Sequence, residues 1–366
     1  MNKIKLGILG VGNMGKRHIL NVIEGNCPEV EIVAAADLDE KNLTWAKEKL
    51  GADIAVFNNT DDFFNNKSME SVLVAVPHYD HPRFAIECFR RGLHVMVEKP
   101  AGVYTKQVRE MNEAAKSANV KFGMMFNQRT DCVYRKMREL VKSGTLGQIR
   151  RTNWIITDWY RPQAYYNSGS WRATWAGEGG GVLLNQCPHN LDLWQWICGM
   201  PVMVDAHMQF GKWHDIEVED DVTAYVEYEN GATGVFITST GDAPGTNRFE
   251  ITLDKGKLIA EKGVLSLWEN EESEPEFSKN NTDIFGCPKT NFRIVETDGK
   301  LLQHSGVLNA FAASILRDEP LTAGGEEGIN GLMISNAMHL SAWLGKQVYL
   351  PFDEDLFYNE LQKRIK

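Results

Sequence analysis

The chain has 366 residues, of which 39 are Lys or Arg and 49 are Asp or Glu, for a formal net charge of −10. That balance is wrong for a protein held to nucleic acid by electrostatics. With 43 % hydrophobic and 24 % charged residues, the composition is that of an ordinary globular protein, and single cores stop growing at about 250 to 300 residues, so two domains are expected.

From the N-terminus, KIKLGIL at 3–9 is a short apolar run that enters GVGNMG, and 16–24 reads as a helix closed by Gly25. A second apolar run, 32–36, stops at Asp37, and a helical stretch from about Glu40 to Leu50 ends at Gly51. The alternation repeats: SVLVAVP at 71–77 reads as a buried strand, 82–91 as a helix capped by Gly92, and LHVMVE at 93–98 as another strand. Crossover helices between fully apolar strands must lie on the sheet faces, which implies a doubly wound parallel α/β sheet. After about Asn127 the rhythm changes. VTAYVEY at 222–228 and TGVFITST at 233–240 flank a turn containing Asn230-Gly231, the signature of an antiparallel hairpin. Further strands are expected at 202–210, 248–253 and 264–268. The acidic stretch 269–276 reads as a solvated loop, and 307–345 as helical with a break at Gly324 and Gly325. The expected organisation is therefore 1–126 and 127–366, the second part an α+β domain with a mainly antiparallel open sheet. One uncovered sheet face usually needs a partner, which predicts a homo-oligomer, dimer or tetramer.

Cys27, Cys88, Cys132, Cys187, Cys198 and Cys287 form no CxxC pair, so neither a zinc ribbon nor a disulfide framework is legible. The first residues pass straight into a strand without a signal-peptide core, and no apolar run is long enough to span a membrane. The expectation is a reduced, cytoplasmic protein.

Gly10, Gly12 and Gly15 spell GxGxxG between a strand and a helix. The first glycine permits the turn, the second lets backbone approach a pyrophosphate, and the third packs helix on strand. By itself the motif is weak, but Asp37 ends the next strand at the spacing where an acid accepts from the adenosine ribose hydroxyls and repels a 2′-phosphate. Leu38 and Asp39 offer no basic partner for such a phosphate, so NAD is expected over NADP. The overlapping GxxxxGK from Gly10 to Lys16 is no triphosphate loop, since Arg17 stands where a Ser or Thr must hold magnesium.

Glu98-Lys99-Pro100 closes the fourth apolar strand, which puts Lys99 at the carboxyl edge of the sheet, where ligands bind in open α/β folds. Partial desolvation near a cationic nicotinamide would lower its pKa toward neutrality and make it a proton acceptor; the bland alternative is a surface lysine at a strand end. In GGGVLLNQCPHNLDLWQWICG at 179–199, Asn185 and His189 stand four apart and would share a helix face, with Asp192 placed to hold the imidazole. Pro188 argues for a kink or a late start to that helix. Two sets of metal-type donors, His78 with Asp80 and His81, and 214–221, lack ligand spacing and read as a turn and a solvated loop.

GVGNMG, Asp37, VPHYDHPRFAIECFRRGLHVMVEKP, FNQR at 126–129 and the 179–199 run together resemble the glucose-fructose oxidoreductase and inositol dehydrogenase family (Gfo/Idh/MocA), over nearly the whole chain. The resemblance implies an N-terminal Rossmann domain and an NAD(H)-dependent oxidoreductase that oxidises a secondary hydroxyl of a sugar, polyol or glycoside, the 3-hydroxyl of a glucoside among the options. A reductase of oxo-sugars and a non-catalytic cofactor-binding regulator are the alternatives. It implies Lys99 as catalytic acid/base with Asn185 and His189 beside the reacting sugar, and cofactor contacts at Gly10, Gly12, Asn13, Met14, Gly15, Asp37, Pro77, His81 and Glu98. It also places the segment 158–175 over the pocket, with Tyr160, Arg161, Trp171, Arg172 and Trp175 as substrate contacts alongside Lys99, Asn185 and His189. Aromatic faces suit sugar C–H surfaces and guanidinium donors suit hydroxyls. Position 185 departs from the family's usual Asp: an amide cannot take a proton, so proton transfer rests on Lys99.

Overall fold

The computed structural model describes residues 2–366. It divides into two units: residues up to Thr130 with Leu302–Leu332, and Asp131–Leu301 with Met333–Lys366.

The first unit alternates strand and helix: β1 (Ile4–Leu9), α1 (Asn13–Ile23), β2 (Val30–Ala36), α2 (Glu40–Leu50), β3 (Ala55–Phe57), α3 (Thr60–Asn65), β4 (Ser71–Val74), α4 (His81–Arg90), β5 (His94–Val97), α5 (Thr105–Lys116) and β6 (Phe122–Met124). The six strands are all parallel, in the order β3-β2-β1-β4-β5-β6. The order reverses between β1 and β4, which is the switch point where such sheets bind ligands. Every residue of β4 is buried, as a strand covered on both faces requires. The helices carry ordinary punctuation. Asp39 caps α2 by accepting from the Lys41 amide at 2.9 Å, Lys47 and Lys49 stand in its last turn, and Gly51 ends it at φ +105°.

The second unit begins with α6 (Cys132–Lys142), β7 (Ile149–Ile156), α7 (Gln163–Tyr166) and α8 (Pro188–Cys198). It continues as β8 (Met203–Phe210), β9 (Glu219–Glu227), β10 (Thr233–Ser239), β11 (Asn247–Leu253), β12 (Gly256–Glu261), β13 (Val264–Asn270), α9 (Glu274–Asn280) and β14 (Thr290–Ile294). The expected hairpin is β9–β10, closed by a hydrogen bond from the Tyr228 amide to the Ala232 carbonyl at 2.9 Å, with Gly231 at φ +81°. Alternation sets the faces: Val222, Ala224 and Val226 are buried while Thr223, Tyr225 and Glu227 are exposed. Under the sheet, Trp154 of β7 stacks on Phe249 of β11 at 4.2 Å, and Trp194 of α8 stacks on Phe236 of β10 at 5.3 Å. The acidic stretch expected as a loop is instead the end of β13 and the start of α9, whose first turn carries Glu274, Glu276 and a proline. Acids and proline are favoured at a helix start, which a reading of charge alone overlooks.

α10 (Gln303–Arg317) returns the chain to the first unit: its Val307, Leu308, Phe311 and Ala312 share a core with Ile4, Leu6, Ile8 and Ile19. Thus the first unit includes a late segment that the expected boundary at 126/127 leaves out. α11 (Gly328–Leu344), β15 (Val348–Tyr349) and α12 (Glu354–Gln362) complete the chain. β15 pairs with β8, giving a nine-stranded sheet in the order β14-β13-β12-β11-β7-β10-β9-β8-β15, antiparallel except where β7 meets β10.

Candidate active site

In the first unit the glycine turn lies between β1 and α1. Gly10 has φ +97°, and a Cβ there would fall 2.5 Å from the Ala75 carbonyl oxygen just beyond β4, so the two chain turns of the switch point touch at this position. At Gly15 a Cβ would come within 2.0 Å of the Gly10 carbonyl oxygen, whereas at Gly12 it would meet nothing within 4 Å. Gly10 and Gly15 are therefore required by the fold, and Gly12 borders open space. No side chain caps α1 and no acid stands in its first turn, where Asn13 and Met14 lie, so the positive end of the helix is uncompensated. Asp37 adjoins this turn. Its carboxylate accepts from the Val11 amide at 2.7 Å, the Asp39 amide at 2.8 Å and the Asn42 side chain at 3.1 Å. An open cradle for backbone approach, an uncapped helix start and a fixed carboxylate at the end of β2 are the donor set that a dinucleotide needs, and NAD fits it.

Lys99 follows β5 at the carboxyl end of the sheet and is half-buried. Beneath it, Glu98 is buried: Oε1 lies 2.6 Å from Nε2 of His18, and Oε2 accepts the backbone amide of Lys99 at 3.1 Å. Burial alone would raise the Glu98 pKa. The hydrogen bond from His18 and the nearby charges of His18, His304 and Lys99 outweigh it, and the carboxyl is held at about 2. The His304 ring of α10 meets His18 edge-on at 5.6 Å, and burial pushes its pKa down to about 4, so it is neutral at pH 7.

Glu98 and His81 are thus interior groups where cofactor contacts were expected. The His81 ring is buried with Nδ1 2.7 Å from the Pro100 carbonyl and Nε2 2.7 Å from the Val76 carbonyl, and burial pushes its pKa down against the pull of those two oxygens. It ties the segment after β4 to the segment after Lys99, leaving Pro77 exposed beside it. Both His18 and His304 escape the sequence reading because each lies outside the motifs. The one available signal was a histidine on the inner face of the glycine-motif helix.

In the second unit, α8 starts at Pro188, so Asn185 lies in the preceding turn rather than on a shared helix face with His189. Proline fits the first helical position and cannot extend the helix backward through its missing N–H. The Asn185 amide donates to the Oε1 atom of Glu178 and, at 3.1 Å, to the Tyr165 hydroxyl. Glu178 is buried and its other oxygen accepts the Ala173 amide at 2.7 Å. His189 sits in the first turn of α8 and is 8 % exposed; Asp192, fully buried, accepts from the Gln195 amide at 3.1 Å.

The aromatic segment divides. Tyr160 and Trp171 are exposed. The Arg172 guanidinium lies 4.6 Å from the Tyr165 ring and 4.7 Å from that of Trp171, while Arg161 covers Trp159 and Tyr165 at 5.6 and 5.3 Å. Trp175, expected at the substrate, is 5 % exposed and packs against Phe210, His339 and Trp343 in an aromatic cluster. Tyr165, within the segment expected over the pocket but not singled out, and Glu178, outside it, join Asn185 and Arg172 in one network.

The expected solvated loop at 214–221 is also corrected. Glu219 and Asp220 are buried. The Glu219 carboxylate accepts the Gly181 and Leu183 amides at 2.8 and 3.0 Å, shaping the turn that leads to Asn185, and Asp220 accepts the amides of Lys212, Trp213 and His214. Buried carboxylates at the start of β9 organise backbone on either side of the strand instead of facing water. Among the described residues no group of three or more His, Cys, Asp or Glu is disposed to hold a metal ion, and no helix is long and apolar enough to cross a membrane.

Comparison with known proteins agrees with this architecture. Residues 4–126 match an oxidoreductase family with an NAD-binding Rossmann fold, and residues 134–259 match the GFO/IDH/MocA C-terminal domain. The chain is 28 % identical to D-glucoside 3-dehydrogenase of Escherichia coli, over 95 % of this chain and 97 % of the relative. It is 27 % identical to myo-inositol 2-dehydrogenase of Thermotoga maritima, over 70 % of this chain and 75 % of that one. Among solved structures, the WlbA dehydrogenase of Chromobacterium violaceum, in complex with NADH and UDP-GlcNAcA, superposes with a TM-score of 0.83 at 26 % identity, covering 96 % of this chain and 97 % of that one.

Proposed function

Because the chain belongs to the Gfo/Idh/MocA family of NAD-binding oxidoreductases, we propose that it oxidises a secondary hydroxyl of a sugar, polyol or glycoside, with Lys99 receiving the hydroxyl proton. NAD, when bound, supplies the acceptor for the two electrons that leave the carbinol carbon. The amides at the start of α1 and the carboxylate of Asp37 hold it, and Asp37 disfavours a 2′-phosphate.

The observation that carries the reading is the setting of Lys99. It stands at the carboxyl edge of the parallel sheet with its backbone amide held by a buried, ionised carboxylate. That anchor fixes the backbone from which the amine reaches, and a positioned general base contributes roughly a hundred- to ten-thousand-fold. Asn185 and His189 are assigned to hydroxyls of the sugar. The amide of Asn185 orients by hydrogen bonding alone, so the proton goes to Lys99. Sugars are the favoured class because the relatives named above act on inositol and glucosides, and because the Tyr165 hydroxyl joins Asn185 to the guanidinium of Arg172. The same reading extends to a homo-oligomer formed through the nine-stranded sheet, on which Ile155 and Tyr225 are each 37 % exposed, and to a reducing, cytoplasmic setting for its six free thiols. A monomeric mass by light scattering would refute the first extension.

The test is a panel of inositols, free sugars and glucosides scored for NADH formation, paired with oxo-sugars scored for NADH consumption. At least one sugar is expected to reduce NAD. The ratio of forward to reverse rates decides between dehydrogenase and reductase, and no change in either direction across the panel would overturn the reading.

A further inference from the structure

Tyr165 belongs to the single turn α7, and its ring is placed by the two guanidinium groups of Arg161 and Arg172 and by the edge of Tyr166 at 5.2 Å. Its hydroxyl oxygen is approached by three nitrogens: Nη1 of Arg172 at 2.9 Å, Nδ2 of Asn185 at 3.1 Å and Nε2 of Gln186 at 3.4 Å. A guanidinium has no acceptor. The Asn185 amide is fixed in orientation because the same Nδ2 also donates to the Glu178 carboxylate. The two lone pairs of the phenol oxygen are thus engaged by donors, and no partner among the described residues takes its hydrogen. A phenol that accepts from a cation is also a stronger donor.

We propose that the Tyr165 hydroxyl is the donor through which the second unit holds an acceptor oxygen of the substrate sugar, and that Asn185 acts on it as a positioning residue. The proposal rests on the reading above that Asn185 belongs to the substrate site. It also accounts for the departure from Asp at position 185. The negative charge of the network resides on Glu178, buried behind the amide and 3.9 Å from Arg172, and accepts the Ala173 amide as well. An aspartate at 185 would face that carboxylate and would withdraw the N–H on which both Glu178 and Tyr165 depend.

The experiment uses the NAD-loaded enzyme, the best sugar of the panel and that sugar's deoxy analogues, each lacking one hydroxyl, with thermal unfolding recorded alongside. Tyr165→Phe is expected to keep the unfolding midpoint and lower kcat/KM by about tenfold or more, chiefly through KM. On one deoxy analogue, variant and wild type are expected to run equally, since the hydrogen bond is missing from both. Asn185→Asp is expected to lower kcat/KM on the full sugar rather than improve it. An enzyme whose turnover requires Lys99, yet whose Tyr165→Phe variant keeps full kcat/KM or loses the same factor on every analogue, overturns the assignment of Tyr165 alone. Failure of the wild type on every sugar overturns it together with the proposed function.

Discussion

The first unit shapes its proposed cofactor surface out of backbone, and the second shapes its proposed substrate surface out of side chains. Around Gly10 and Gly15, chain turns pass too closely for any Cβ, and the side chains nearby, His81 and Glu98, engage backbone carbonyls and amides. Around Asn185 the geometry comes from a network of Glu178, Tyr165 and Arg172, each oriented by the others. A surface made of backbone is insensitive to the identity of most residues, which suits a cofactor shared by many enzymes. One made of side chains can change with few substitutions, which suits a substrate.

That contrast can be broken most sharply at the glycines. Gly15→Val drives a side chain into the Gly10 carbonyl and is expected to cost about 3 kcal/mol or more, read as loss of folded protein in urea unfolding. An unchanged midpoint would remove the claim that the turn is sterically closed. Glu98→Gln comes next, at about 2 kcal/mol, because a buried hydrogen-bonded charge is withdrawn from His18. Glu98 is held at about 2, below its ordinary 4.5, so its ionisation favours the fold; the contribution is full above pH 4.5 and lost as pH falls toward 2. His304 is lowered from 6.5 to about 4, so the unfolded chain takes its proton first and stability declines as pH drops through that interval. Unfolding as a function of pH should therefore show two descending limbs, the lower one missing in Glu98→Gln.

Asp37→Ala tests the cofactor side with less effect on the fold. NAD binding is expected to weaken by about tenfold or more and the preference over NADP to shrink, measured by fluorescence titration with both dinucleotides. Tighter binding of NADP by the unaltered protein would contradict the role of Asp37. Gly12→Ala, where a Cβ meets open space, should leave the unfolding midpoint in place and weaken NAD by a few-fold; a stability loss there would undo the distinction from Gly15. Smallest is Trp171→Ala in the second unit, worth about 0.5 to 1 kcal/mol through its contact with Arg172 and visible in sugar KM alone.

Legibility followed the same division. The parallel sheet, the glycine turn and the place of Lys99 just after β5 could be read from local pattern, since apolar runs, glycines and the residues after a strand occur in contiguous stretches. The hairpin β9–β10 was legible through its Asn-Gly turn. His18, Glu98 and His304 could not be joined, because their contact spans more than 200 residues and depends on α10 returning to the first core. The buried carboxylates of Glu219 and Asp220 resembled surface charge, for composition does not say which acids carry backbone amides. The packing of Trp175 on Trp343 and Phe210 was illegible for a related reason: an aromatic suits a sugar and a core equally well in sequence.

Lys99 carries the proposed proton transfer. Turnover of the Lys99→Ala variant should be measured at saturating NAD on the best sugar of the panel, with NAD affinity determined in parallel. The prediction is an NAD dissociation constant near that of the wild type and a kcat lower by about a hundredfold or more; a variant that turns over at the wild-type rate would contradict it.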